Sequence, residues 1–315
     1  MRTPVVFRVL GVLLMVFSAT MLVPAIVSFF YEDGASKAFL IAFAITFCTG
    51  LTCWLPTRKN PTELGIRDGF VVTVLFWTVL GFYGALPLML EERLQLNFND
   101  AVFESLSGLT TTGATVIQGL DDLPKSVLFY RQQLQWLGGM GIIVLALAVL
   151  PMLGVGGMQL FRAETSGPIK DSKITPRIAE TAKALWYLYL GLTVACALAY
   201  WLAGMNLFDA VAHSFSTVSI GGFSTHDASI GYFDNPAIEL IAICFIAISG
   251  ISFTLHFAVL RHRSLRGYLQ NVETRTFLLI LLAVTLIAWF DLYMKKGYDL
   301  VAALRYGLFM AVSIA

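Results

Sequence analysis

Residues 104-ESLSGLTTTGATVIQ-118 set four threonines around one glycine in a chain that is otherwise strongly apolar. A second polar loop, 219-SIGGFSTHDASIGYFD-234, lies about a hundred residues further on. Neither 110–115 nor 219–224 contains a carboxylate. That argues against a divalent-metal site of the Asp/Glu type, and for a weakly held monovalent cation bound by neutral oxygens. Gly113 and Gly222 allow positive φ, which lets successive backbone carbonyls aim at one axis. Thr110, Thr111, Thr112, Thr115, Ser219 and Ser224 can brace such loops or add hydroxyl oxygens.

The segments that must position these loops repeat. Without gaps, 100-DAVFESLSGLTTTGAT-115 aligns with 209-DAVAHSFSTVSIGGFS-224. Asp100 falls on Asp209, Ser105 on Ser214, Ser107 on Ser216 and Gly113 on Gly222. Each stretch follows an apolar span and precedes another, so the unit is span, short helix, glycine loop, span. A third unit begins at 277–294, and 304-LRYGLFMAVS-313 aligns with 98-FNDAVFESLS-107.

Composition fixes the solvent. The chain of 315 residues is 57% hydrophobic and 13% charged, with a mean hydropathy of +0.77; soluble domains carry about 25% charge. Apolar runs at 5–30, 37–56, 70–90, 133–160, 183–204, 236–260 and 277–294 are read as membrane spans. The first is a span and not a cleaved signal, because another apolar run follows at once. The short runs 98–110, 207–219 and 299–315 cannot span and are read as re-entrant. With the N-terminus inside, 14 of the 21 Lys and Arg residues fall on the cytoplasmic side, as the positive-inside rule requires. A net charge of +1 makes no case for nucleic acid. Cys48, Cys53, Cys196 and Cys244 form no CxxC pair and are expected to be buried small hydrophobes. No P-loop, HExxH or nucleophile–base pattern occurs, so an enzyme is not expected and nucleotide binding belongs to another chain.

The stretches 104-ESLSGLTTTGAT-115, 130-YRQQLQWLGGMGIIVLA-146, 154-GVGGMQLFRAE-164, 176-PRIAETAK-183 and 219-SIGGFSTHDASIGYFD-234 resemble the Trk/Ktr potassium-uptake family, specifically its TrkH-type pore-forming subunits. The resemblance runs over essentially the whole chain. It implies an all-α polytopic membrane protein with a potassium-channel-like fold: tandem repeats of transmembrane helix, re-entrant pore helix, filter loop and transmembrane helix. On that pattern 1–60 holds two additional N-terminal helices, 61–165 the first pore repeat, 166–265 the second and 266–315 an incomplete third. The filter is assigned to Thr110, Thr111, Thr112, Gly113, Ala114 and Thr115, and to Ser219, Ile220, Gly221, Gly222, Phe223 and Ser224. Potassium is expected on the backbone carbonyls of Thr111, Thr112, Ile220 and Gly221, as substrate and with no cofactor. The resemblance further implies potassium uptake across a bacterial inner membrane, a homodimer, and gating by a cytoplasmic nucleotide-binding ring of the TrkA type. Relative to the family the text lacks the third filter loop, its inner helix and the fourth repeat, and is expected to be C-terminally truncated. The rival readings are a secondary carrier of another solute, built on repeats, and a non-conducting fragment.

Other residues carry smaller expectations. Asp100 and Asp209 are read as N-caps of the short helices, and Glu104 and His213, at equivalent positions, as buried hydrogen-bonded groups. His226–Asp227 is read as a bracing pair at the outer mouth and His256 as a satisfied helix residue. Asp121, Asp122, Asp227 and Asp234 are read either as a negative outer face that would concentrate cations or as a plain solvated loop. The glycines of 154–164 are read as a bend or a close-packing site, and the basic inside face either as a docking surface or as the positive-inside rule alone.

Overall fold

The computed structural model describes residues 3–58, 66–141 and 178–314. The run 154–164 and the basic stretch 162–177 lie outside them, so the expectations placed there stay expectations. The described chain is helical, with no strand among its residues. Among the described residues five stretches are long and apolar enough to cross a bilayer: Thr3–Tyr31, Ser36–Thr57, Asp68–Leu90, Lys183–Leu202 and Val272–Lys296. In chain order the helices are α1 (Thr3–Thr20), α2 (Leu22–Tyr31), α3 (Ser36–Trp54), α4 (Ile66–Gly84), α5 (Leu86–Leu90), α6 (Phe98–Leu109), α7 (Lys125–Gly139), α8 (Ile178–Leu202), α9 (Leu207–Val218), α10 (Pro236–Ser249), α11 (Phe253–His262), α12 (Arg266–Gln270), α13 (Val272–Lys296) and α14 (Leu300–Ile314).

The three short helices α6, α9 and α14 fall within a residue or two of their expected limits. Twelve residues rise about 18 Å, well short of the hydrocarbon core. Two cores hold the chain together. One packs α1, α3 and α4 around α6 and α7, with Tyr130 and Leu134 at its centre. The other packs α8, α9 and α10 around Tyr189 and Tyr200. Gly11 and Gly50 bring α1 and α3 together so closely that a Cβ on either would meet the other's carbonyl oxygen, the small-residue packing of membrane helices.

Proline breaks leave carbonyls without partners, and α7 supplies them. Pro24 has no N–H for the Thr20 carbonyl one turn back; the Gln133 amide donates to that oxygen at 2.8 Å. Near Pro87, the Tyr130 hydroxyl donates to the Gly84 carbonyl at 2.8 Å. This explains why α7 starts at Lys125, eight residues before the apolar run expected at 133–160. Its first turns carry Arg131, Gln132 and Gln133, all buried against protein and not against lipid.

Two further expectations are corrected. The run 236–260 is not one straight span: α10 and α11 meet at 87°. His256 holds the corner, its Nε2 2.9 Å from the Ile248 carbonyl and its Nδ1 2.8 Å from the Tyr268 hydroxyl. Of the cysteines only Cys196 is buried, while Cys48 and Cys244 are exposed. An apolar helix face in a membrane can meet lipid instead of protein.

Candidate ion-filter site

The sequence repeat is a structural repeat at a constant offset of 109 residues. It begins at the caps. The Asn97 side-chain oxygen accepts from the Asp100 N–H at 3.0 Å, and the Asn206 oxygen from the Asp209 N–H at 2.9 Å. Each asparagine amide also donates to the same aspartate's carboxylate. Asp100 and Asp209 are therefore not the N-caps. They stand at the third helical position and reach back, as the acidic member of a capping box does.

The helix ends match as well. Thr111 N–H donates to the Gly108 carbonyl and Thr112 N–H to that of Ser107. In the second unit Ile220 N–H donates to Thr217 and Gly221 N–H to Ser216. This pair of bonds is a Schellman ending, whose left-handed position glycine normally fills. Here Thr111 (φ 55°) and Ile220 (φ 54°) fill it, and Gly113 (φ 76°) and Gly222 (φ 83°) follow two residues on. A β-branched residue in that region costs roughly 1–2 kcal/mol, strain of the kind that collects at functional sites.

The consequence is a row of unclaimed carbonyls. Among the described residues no hydrogen bond engages the backbone oxygens of Thr110, Thr111, Thr112, Gly113, Ser219, Ile220, Gly222 or Phe223. Three other loop carbonyls are held. Ser107 Oγ donates to Ala114 at 2.6 Å, Gln135 Nε2 to Gly221 at 2.7 Å, and an Arg131 nitrogen lies 3.3 Å from Ser224. Gly221, expected to be an ion ligand, is thus the member of that set whose carbonyl the fold already engages. The loops also touch each other: a Cβ on Gly113 would collide with the Gly221 carbonyl oxygen, whereas one on Gly222 would meet open space.

Behind the loops stand the buried groups. Glu104 and Arg131 pair at 2.7 Å with side chains 0% and 1% exposed. Glu104 also accepts from Thr115 Oγ1 and from the Val116 N–H. At the equivalent position His213 Nε2 lies 2.9 Å from Ser224 Oγ, so each unit holds the end of its loop through the same two positions. Arg131 lies 4.4 Å from the Phe223 ring centre and thereby serves both loops. Gly138 makes room for this arrangement, because any Cβ there would strike the Leu109 carbonyl at the end of α6.

The outer ends are cross-tied. The Asp227 carboxylate accepts from the Gly119 and Leu120 N–H groups at 3.1 and 3.0 Å. His226 bridges Asp121 and Asp209 and stacks on Tyr232 at 3.5 Å. The expected bracing role of His226–Asp227 fits this geometry. In the third unit Asp299 caps α14 through the Ala302 N–H at 2.8 Å, and Arg305 grips Glu239 of α10 at 2.5 and 2.6 Å. That cap starts α14 four residues before the start its sequence alignment gives.

Sequence reasoning missed Asn97, Asn206, Arg131 and Gln135. The caps had a signal, an asparagine three residues before each aspartate in 97-NFND-100 and 206-NLFD-209. The polar run 131-RQQLQ-135, flanked by apolar residues, was a second one.

Spanning helices, paired short helices that end in loops of free carbonyls, and a polar inner helix bracing them define a multi-pass membrane protein. Comparison with known proteins agrees. The TrkH cation transport protein family matches residues 35–304. The chain is 58% identical to the Trk system potassium uptake protein TrkH of Halomonas elongata, over 100% of this chain and 65% of that one. It is 56% identical over 287 residues to the protein of that name from Escherichia coli K12, covering 90% of this chain and 59% of the relative. The crystal structure of the potassium transporter TrkH from Vibrio parahaemolyticus superposes with a TM-score of 0.87 at 51% identity, over 100% of this chain and 64% of that one. The chain belongs to the TrkH family of cation transport proteins, and it spans about two thirds of the length of these relatives.

Proposed function

We propose that the chain is a pore-forming part of a potassium-uptake system, with the loops 110–115 and 219–224 as two walls of its ion filter. The unclaimed carbonyls carry this reading. Backbone oxygens without protein donors, at the inner ends of helices too short to span, need water or a cation. The partly negative C-terminal ends of α6 and α9 favour the cation. Thr111, Thr112 and Ile220 are the carbonyl ligands, and Gly221 has one lone pair already taken by Gln135. Potassium is the substrate, because the relatives that match the chain are named for its uptake. The setting we propose is a bacterial inner membrane with the N-terminus inside. A second copy of the chain and a cytoplasmic nucleotide-binding ring of the TrkA type are its partners. The basic residues Arg261, Arg263 and Arg266 support docking on the inner face.

The test is ion discrimination in cells that lack other potassium uptake. Gly113→Ala is expected to lower the potassium-to-sodium uptake ratio more than Gly222→Ala does. The first faces both a positive φ and a collision, the second only the φ. Unchanged ratios in both variants sink the reading.

A further inference from the structure

Gln135 sits on α7, the inner helix of the first unit, yet both ends of its amide act on the loop of the second. Its Nε2 donates to the Gly221 carbonyl at 2.7 Å, and its Oε1 accepts from the Phe223 N–H at 3.1 Å. The side chain is fully buried. Gly221 is pressed so close that a Cβ there would overlap the amide. The oxygen that Gln135 holds is the one on which Gly113 of the first loop packs. A side chain must offer one donor and one acceptor at this reach, which glutamine does and an ionised glutamate or a leucine does not. The equivalent carbonyl in the first loop, that of Thr112, has no such anchor among the described residues.

We propose that Gln135 is a specificity-determining positioning residue. By gripping loop 219–224 at two points it sets the spacing between the two loops, and it makes the Gly221 carbonyl a strut between them instead of an ion ligand. The inference rests on the potassium-pore reading and adds to it a residue that touches no ion. Selectivity by carbonyl oxygens depends on how far apart and how mobile those oxygens are, so loosening one wall acts on discrimination before it acts on rate.

The experiment compares potassium and sodium uptake by the full-length chain carrying Gln135→Glu, Gln135→Leu or Gln133→Leu, each normalised to the amount in the membrane. Gln135→Glu keeps the shape and the bond to Phe223 but sets a carboxylate oxygen against the Gly221 oxygen. Gln135→Leu is expected to lose at least tenfold in the potassium-to-sodium ratio, and Gln135→Glu as much where its carboxyl is ionised. Gln133→Leu, which frees only the Thr20 carbonyl, keeps the ratio while lowering the amount. A wild-type ratio in Gln135→Leu at wild-type membrane levels overturns the proposal. Should neither Gln135 variant reach the membrane, Gly221→Ala decides, since its methyl displaces the amide. A tenfold fall in the ratio supports the strut, and no change overturns it. A wild-type chain that takes up no potassium ends the pore reading itself, and this inference with it.

Discussion

Glu104 and Arg131 bury two opposite charges in a part of the protein far from bulk water. Desolvating such ions is expensive, and the pair is tolerable only because its other valences are filled. Thr115 and the Val116 N–H fill those of Glu104, while Thr115 and Ser224 fill those of Arg131. Arg131→Met alone leaves a bare carboxylate and is expected to cost about 3–5 kcal/mol. Glu104→Leu with Arg131→Met should cost clearly less than the two single changes added together. Denaturant unfolding in micelles measures this, and strict additivity would show that the pair is not coupled. At the outer mouth the hydrogen bond with His226 holds the Asp121 carboxyl below the usual carboxylate range. A depressed folded pKa stabilises above the ordinary value of about 3.9 and loses that contribution as pH falls through the lower folded value. The stability gap between wild type and Asp121→Asn should therefore persist down to about pH 4 and close below it. A gap that closes already between pH 7 and 5 would assign the effect to another group.

Among the elements, α6 and α9 are built alike from cap to loop, and their N-caps can be tested singly. Asn206→Ala removes the acceptor for the Asp209 N–H and should cost about 1 kcal/mol, read as a lowered unfolding midpoint. Asn206→Ser should recover most of it, and an alanine variant as stable as wild type would deny the cap its role. These short helices were legible in the sequence because their signals are local: a polar start, an amphipathic dozen residues, a glycine four residues past the end. The corner between α10 and α11 was not legible. It depends on His256 reaching back to Ile248 and forward to Tyr268, and hydropathy averages across such a corner. Nor could the filter braces be read in full. Glu104, His213 and the glycines stood out by position, but Gln135 meets Gly221 across 86 residues of chain, and nothing local marks that meeting. The left-handed Thr111 and Ile220 contradict their own propensities, so propensity could only have pointed away from them.

For the molecule as a whole, the proposed orientation sets the filter loops and the basic turn on opposite sides of the membrane. Ser229 belongs to the outer mouth beside His226, and Ser264 to the basic turn between α11 and α12. In a background without Cys48, Cys53, Cys196 and Cys244, a membrane-impermeant thiol reagent applied outside intact cells should label Ser229→Cys and spare Ser264→Cys. Labelling of both, or the reverse, would refute the assigned orientation. The two units share caps, helix lengths, Schellman endings and positive-φ positions, yet differ in what stands behind them. Glu104 with Arg131 backs one loop, and His213 with Gln135 backs the other. In a channel assembled from identical subunits, every mutation is copied around the ring, and a mild change becomes a harsh one. Here both walls lie in one reading frame, and a codon alters one wall at a time. On the proposed function, selection can therefore tune the pore in single small steps, which a symmetric ring does not permit.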